Sequence, residues 1–121
     1  MPPRLIVLKG KPISTQHAYK IARFGSRSGI ILTDEARALK EDYGWQAKSQ
    51  WKHEPLTGDL LVEIRIYFPT KQVRDWDNWH KLSMDALNGI VWEDDHFINE
   101  VHVSKRYDPK NPRIEISVAE L

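Results

Sequence analysis

In RDWDNWHK, residues 74–81, Asp75 and Asp77 are separated by a single Trp, and a second acidic run, WEDDH (92–96), follows a short helical pattern. In an extended chain, side chains two apart point the same way, with Cα atoms roughly 6.6 Å apart. Two carboxylates so placed can converge on a hard cation. Mg²⁺ commonly takes one or two carboxylates, keeps several waters and leaves room for phosphate oxygens. Asn78 could add an oxygen or brace a ligand. The same residues also admit a plainer reading, in which Asp77 opens a helix as its N-cap and both acids are solvated.

Lys81 lies four residues after Asp77 and four before Asp85. On a helix it could pair with either acid as a surface salt bridge worth at most about 1 kcal/mol. Beside a carboxylate–metal site the same ammonium could stabilise charge on an attacked phosphate. Spacing does not choose between these roles. Glu93, Asp94 and Asp95 form either a solvated turn or, if the chain reverses after the helix, the source of a third carboxylate. Three acids brought together repel unless a cation neutralises them or one takes up a proton.

The elements that must position these residues follow from periodicity. RLIVL (4–8) predicts a short buried strand rather than a signal sequence. AYKIARF and GIIL, separated by GSRS, predict a hairpin. Thr33 suits an N-cap, with Asp34 and Glu35 in the first turn, and apolar residues then recur at helical spacing over 34–52. Residues 60–68 alternate strictly: Leu60, Val62, Ile64, Ile66 and Phe68 face one way, ahead of Pro69. A second helix is predicted over about 77–88, stopped by Asn88-Gly89. Strands near 97–106 and 112–118 close the fold, with DPKNP as the turn between them. This order predicts one α+β domain, 1–121, with a mixed or antiparallel sheet and two main helices.

Composition narrows the chemistry. The chain has 121 residues and no cysteine, so disulfides and thiolate metal sites are excluded. No apolar run approaches the ~20 residues of a membrane span, and a cytoplasmic setting is expected. The net charge of +1 hides an asymmetry: residues 1–32 carry Arg4, Lys9, Lys11, Lys20, Arg23 and Arg27 and no acid. Such a block suits a polyanion, or is an unliganded basic surface. The five histidines lack zinc spacing, and His96 is a candidate partner for a metal ligand. No EF-hand loop, phosphate-cradling glycine loop or Ser–His–Asp pattern is present.

Residues 74–98 resemble the RusA family of Holliday-junction resolvases. The family pattern is R-D-x-D-N, a Lys four residues beyond the second Asp, D-A-L, and then W-x-D-D. Arg74, Asp75, Asp77, Asn78, Lys81, Asp85-Ala86-Leu87, Trp92 and Asp94-Asp95 supply it in order. The preceding YFP and the closing strands extend the likeness over roughly 58–118, and Pro12 and Ser14 match part of an N-terminal P-x-S-x-N segment, where Gln16 replaces Asn.

The resemblance implies a homodimeric endonuclease that cuts four-way DNA junctions, dependent on Mg²⁺ with Mn²⁺ as a substitute, encoded by a cell or a prophage. Carried over by position, Asp75, Asp77 and Asp95 are the metal-binding and catalytic acids and Lys81 the catalytic cation. Asp94 is the alternative to Asp95, and Asn78 and Arg74 support the site. Lys9, Lys11, Lys20, Arg23, Arg27, Lys71 and Arg74 are the expected DNA contacts. Two other readings stand beside it: a non-catalytic junction-binding module with a structural acidic cluster, and a metal-dependent phosphoesterase acting on nucleotides.

Overall fold

Strand β4 (Leu60–Phe68) shows why its residues alternate. Leu60, Val62, Ile64, Ile66 and Phe68 are all buried, whereas Glu63 on the opposite face is exposed. In this computed structural model, which describes residues 3–121, β4 is an inner strand of a four-stranded sheet made with β1 (Arg4–Lys9), β5 (Ile98–Tyr107) and β6 (Arg113–Glu120), in the order β1-β6-β4-β5. β6 (Arg113–Glu120) runs antiparallel to β4, and β1 (Arg4–Lys9) antiparallel to β6. Ile6, Ile116 and Ile64 align as a row across the three strands. Burying each such side chain contributes about 1.5–3 kcal/mol relative to exposure.

Two helices cover that apolar face. α2 (Asp34–Gln50) follows the predicted span closely, and the Thr33 hydroxyl caps it by accepting from the Ala36 N–H at 3.2 Å. Tyr43 and Ala47 bury against the sheet. Gln46 and Gln50 also close the edge of β1, an exposed edge otherwise open to unwanted pairing. The Gln50 amide accepts from Val7 N at 2.8 Å and donates to Val7 O at 2.7 Å, and Gln46 treats Lys9 alike at 2.7 and 2.9 Å. Two side chains thus stand in for a neighbouring strand.

The hairpin forms as predicted: β2 (Tyr19–Phe24) pairs with β3 (Arg27–Leu32) as a separate two-stranded sheet. A single helical turn, α1 (Thr15–Ala18), precedes it, with Ser14 accepting from His17 N. No periodicity announces so short a turn.

One expectation fails. The second helix does not run from 77: a 3-10 turn covers Trp76–Asn78, and α3 begins at Lys81 and ends at Leu87. The break lies at Trp79, whose backbone leaves helical geometry while its ring packs edge-on against Phe68 at 4.9 Å. Asp77 is therefore not the N-cap of α3. The last two strands are joined through DPKNP as expected, but they do not pair with each other. β5 (Ile98–Tyr107) runs parallel to β4 on the side away from β6, so β4 lies between them. The parallel crossover from β4 through α3 to β5 fixes this order, and Asp108 N donates to Phe68 O as DPKNP passes the end of β4. The result is α+β with a mixed sheet.

Candidate active site

The segment after β4 is held by Arg74. Its guanidinium lies 4.3 Å from the Phe68 ring and 5.5 Å from that of Trp79, and it donates to Thr70 O at 2.8 Å and to Thr70 Oγ1 at 2.7 Å. Lys105 of β5 donates to the Arg74 carbonyl. Arg74 is thus committed to the loop that presents the acids, and is half-buried rather than displayed.

Asp75 is extended, but Asp77 sits within the 3-10 turn, so the chain is not extended across the pair. The same-side argument for D-x-D does not hold in this geometry, because a 3-10 turn rotates side chains by about 120° per residue. Asp75 occupies the cap position of that turn without a side-chain capping bond.

Asp77 lines an open pocket of about 440 Å³. Its apolar floor is Ile64, Ile98 and Val101 from the sheet, with Met84 of α3. Asn78, His80, Lys81 and Asp85 edge it, and Asp95 enters from the far end of the crossover. Asp95 thus lines the same pocket as Lys81, the first residue of α3, whereas the sequence left a solvated turn and a chain reversal both open. Asp75 and Asp94 are not among the lining residues. Among the described residues no three His, Asp or Glu side chains gather closely enough to hold a metal ion.

Asp95 is carried by a buried anchor. Trp92 is fully buried, and its indole N–H donates to Asn88 Oδ1 at 2.8 Å. Glu93 N donates to Leu56 O, and Leu56 N to Val91 O, which pins the strand-like approach. Asp94 then caps the 3-10 turn Asp95–Phe97 by accepting from His96 N at 3.0 Å, with the His96 ring 3.1 Å away. These bonds, backbone first, hold the Asp94 carboxyl below the usual range. Asp94 is thereby engaged in the turn, and His96 serves Asp94.

Lys81 pairs with Asp85, Nζ to Oδ2 at 3.0 Å, one helical turn along α3. That hydrogen bond raises its pKa above the ordinary lysine value, so the ammonium stays charged. His80 stacks on Trp76 with centroids 6.3 Å apart, and its Nδ1 is buried without a partner among the described residues. Burial pushes the imidazole pKa down, against the Trp76 backbone and Asp77.

The sequence reading missed Thr15 and His80 as pocket residues. Thr15 Oγ1 donates to Asn78 O at 3.1 Å, tying the N-terminal segment to the acidic loop. Its signal was the Pro12–Ser14 match, which placed this segment in the family pattern without giving it a task. Ser14 Oγ meets His17 Nδ1 at 2.6 Å, and no carboxylate joins them among the described residues.

The basic residues divide by location. Lys20, Arg23 and Arg27 are exposed on the hairpin. Lys9 ends β1, where its backbone bonds Gln46, and Lys11 follows it, exposed, beyond the strand. Lys71 sits over the Tyr107 ring at 5.0 Å, in a cleft shared with Lys105 and Arg106, two cations the sequence reading did not single out.

A family model described as Endodeoxyribonuclease RusA matches residues 9–119. The curated "Crossover junction endodeoxyribonuclease RusA" of Aquifex aeolicus (strain VF5) is 28% identical over 86 residues, covering 69% of this chain and 64% of the relative. The "Crossover junction endodeoxyribonuclease rusA" of Enterobacteria phage 82 is 26% identical over 97 residues, covering 79% and 81%. The chain thus spans just under two thirds of the Aquifex protein's length and most of the phage protein's.

Proposed function

This chain belongs to the RusA endodeoxyribonuclease family, and from that premise we propose that it is a divalent-metal-dependent endonuclease that resolves four-way DNA junctions by paired symmetric nicks. The observation that carries this reading is the meeting of Asp77 and Asp95, distant in sequence, in one pocket with Lys81.

The donor chemistry fits a hard cation: carboxylates and an amide oxygen, with no thiolate in the chain. Asp77 and Asp95 would hold it, with Asp75 as the third acid and Asn78 in support. A bound Mg²⁺, or Mn²⁺ in its place, supplies Lewis-acid polarisation of the scissile phosphate and lowers the pKa of an attacking water. Lys81 places a permanent positive charge at the pocket rim, where it stabilises negative charge gathering on the phosphate. Asp85 holds that ammonium in position. The apolar floor keeps the carboxylates at the rim, facing the DNA backbone.

Lys71, Lys105 and Arg106 lie near the acidic loop and suit phosphate contacts, as do Lys9, Lys11 and the hairpin cations. A homodimer supplies two such sites by two-fold symmetry, matching the two strands cut in a junction. The protein acts in whichever compartment holds that DNA. Among the described residues no helix is long and apolar enough to cross a membrane.

A second reading has its own support. Because no three acids gather at metal-holding distance among the described residues, a non-catalytic junction-binding module remains the competitor. Incubating the protein with a synthetic four-way junction, a linear duplex of the same sequence and Mg²⁺ separates the two. Paired nicks confined to the junction are expected. Junction binding with no cleavage under any divalent ion establishes the module instead.

A further inference from the structure

The β2–β3 hairpin is fixed at one end only. Its root belongs to a small cluster in which Tyr19 and Leu32 pack against Ala18, Ala36 and Leu82, which ties it to α1, α2 and α3. Thr15, four residues before the first strand, lines the pocket. From that root two six-residue strands extend about 20 Å. The tip is a two-residue turn, Gly25-Ser26, in which Gly25 takes φ +65°, a left-handed value that favours glycine.

Side chains near the tip are unusually placed for a soluble hairpin. Ile21 is 78% exposed, Ile30 74% and Phe24 59%. Lys20, Arg23 and Arg27 are exposed too, and none of them makes an ion pair among the described residues. The register puts Lys20, Ala22 and Phe24 on one face with Arg27, Gly29 and Ile31. A Cβ on Gly29 would lie 3.5 Å from the Phe24 ring, so the ring rests beside the glycine while more than half of its residue stays exposed. An aromatic ring bracketed by unpaired cations, with no acid anywhere on the hairpin, complements a polyanion that also offers flat apolar surfaces. Nucleic acid meets both conditions.

We infer that the hairpin is a DNA-contacting finger in which Phe24 stacks on a base exposed at the branch point, while Lys20 and Arg27 hold the flanking phosphates. The inference rests on the junction-nuclease reading and assigns it a determinant of branch selectivity outside the acidic pocket. A paired duplex keeps its bases stacked on one another and offers the ring no partner; an open crossover does.

The test uses the intact protein and a four-way junction carrying 2-aminopurine at the crossover, with a linear duplex of the same sequence as control. F24A is expected to weaken junction binding roughly tenfold, a typical loss for one base–aromatic stack, and to leave duplex affinity within about twofold. F24W is expected to restore junction binding. The wild type is expected to change the 2-aminopurine emission on binding, and F24A to leave it near the free-junction value. Equal losses on junction and duplex overturn the inference, as does no loss on either. A change in oligomeric state for F24A by light scattering also overturns it, by making the patch a contact between copies. If the wild type cleaves the junction while F24A is indistinguishable from it, the finger alone fails. If the wild type neither binds nor cleaves the junction, the underlying reading fails and the finger with it.

Discussion

Lys81 Nζ lies 3.0 Å from Asp85 Oδ2, and both residues line the pocket that Asp77 and Asp95 share. The pair is an i,i+4 bridge on α3 with the lysine side chain 53% exposed, so its direct stabilisation is about 1 kcal/mol or less. Its consequence is positional: the ammonium is held at the rim beside the acids.

K81A is therefore expected to slow junction cleavage by roughly a hundredfold and to change unfolding free energy by no more than about 1 kcal/mol. Single-turnover cleavage and urea unfolding check the two together. A stability loss that accounts for the activity loss would return Lys81 to the role of an ordinary surface bridge.

D77N and D95N are each expected to lose roughly a hundredfold or more in cleavage rate while binding the junction as tightly as the wild type, or more tightly, because a negative charge facing phosphate is removed. D94N is expected to cut normally, since Asp94 serves the turn. D75N is expected to fall with D77N; wild-type rates for it would limit the acids to the pocket pair. Quantifying nicked strands on a denaturing gel, beside gel-shift affinities, decides each case.

Thr15 holds the acidic loop through one hydrogen bond to the Asn78 carbonyl at 3.1 Å. T15V keeps the shape and removes that bond, at a cost of about 1 kcal/mol. Cleavage is expected to drop more than stability does, because the bond sets where Asn78 and Asp77 sit. Equal shifts in both, read by thermal unfolding and by initial rates, would make Thr15 a packing residue only.

Glu115 gives the pH dependence of stability. Burial alone would raise its pKa, but hydrogen bonds from Arg113 Nε at 2.9 Å and Arg65 Nε at 3.1 Å leave it below the usual glutamate value. A carboxyl lowered in the folded state contributes stability that is fully present above its unfolded pKa of about 4.3 and is lost as pH falls through the folded value. Wild-type unfolding free energy is thus expected to decline below about pH 4. E115Q is expected to lose about 1–2 kcal/mol at pH 7 and to show a shallower acid limb in denaturant titrations from pH 7 to 3.

Much of the scaffold was readable because its periods are local. Strict alternation from Leu60 to Phe68 gave β4 with its buried face, and the Thr33 cap with two acids behind it gave the start of α2. The start of α3 was not readable: a helical stripe runs through Trp79, but the contact of that ring with Phe68 and Arg74 breaks the helix and moves its first turn to Lys81. The pairing of the last strands was equally hidden, because alternation marks where a strand lies and not which neighbours it takes, and β4 sits between the two.

By itself the sequence determined the chemistry available: oxygen donors without thiolates, a lysine in reach of two acids, a basic N-terminal block, and an ordered set of motif residues that marks the family. Which of those groups meet was decided only in three dimensions. The parallel crossover brings Asp95 to the pocket that Asp77 lines, the buried Trp92 anchors its approach, His96 claims Asp94, and the 3-10 turn takes the chain out of the extended geometry between Asp75 and Asp77. The reason is that side-chain direction follows local dihedral angles, and these are set by packing against residues far along the chain.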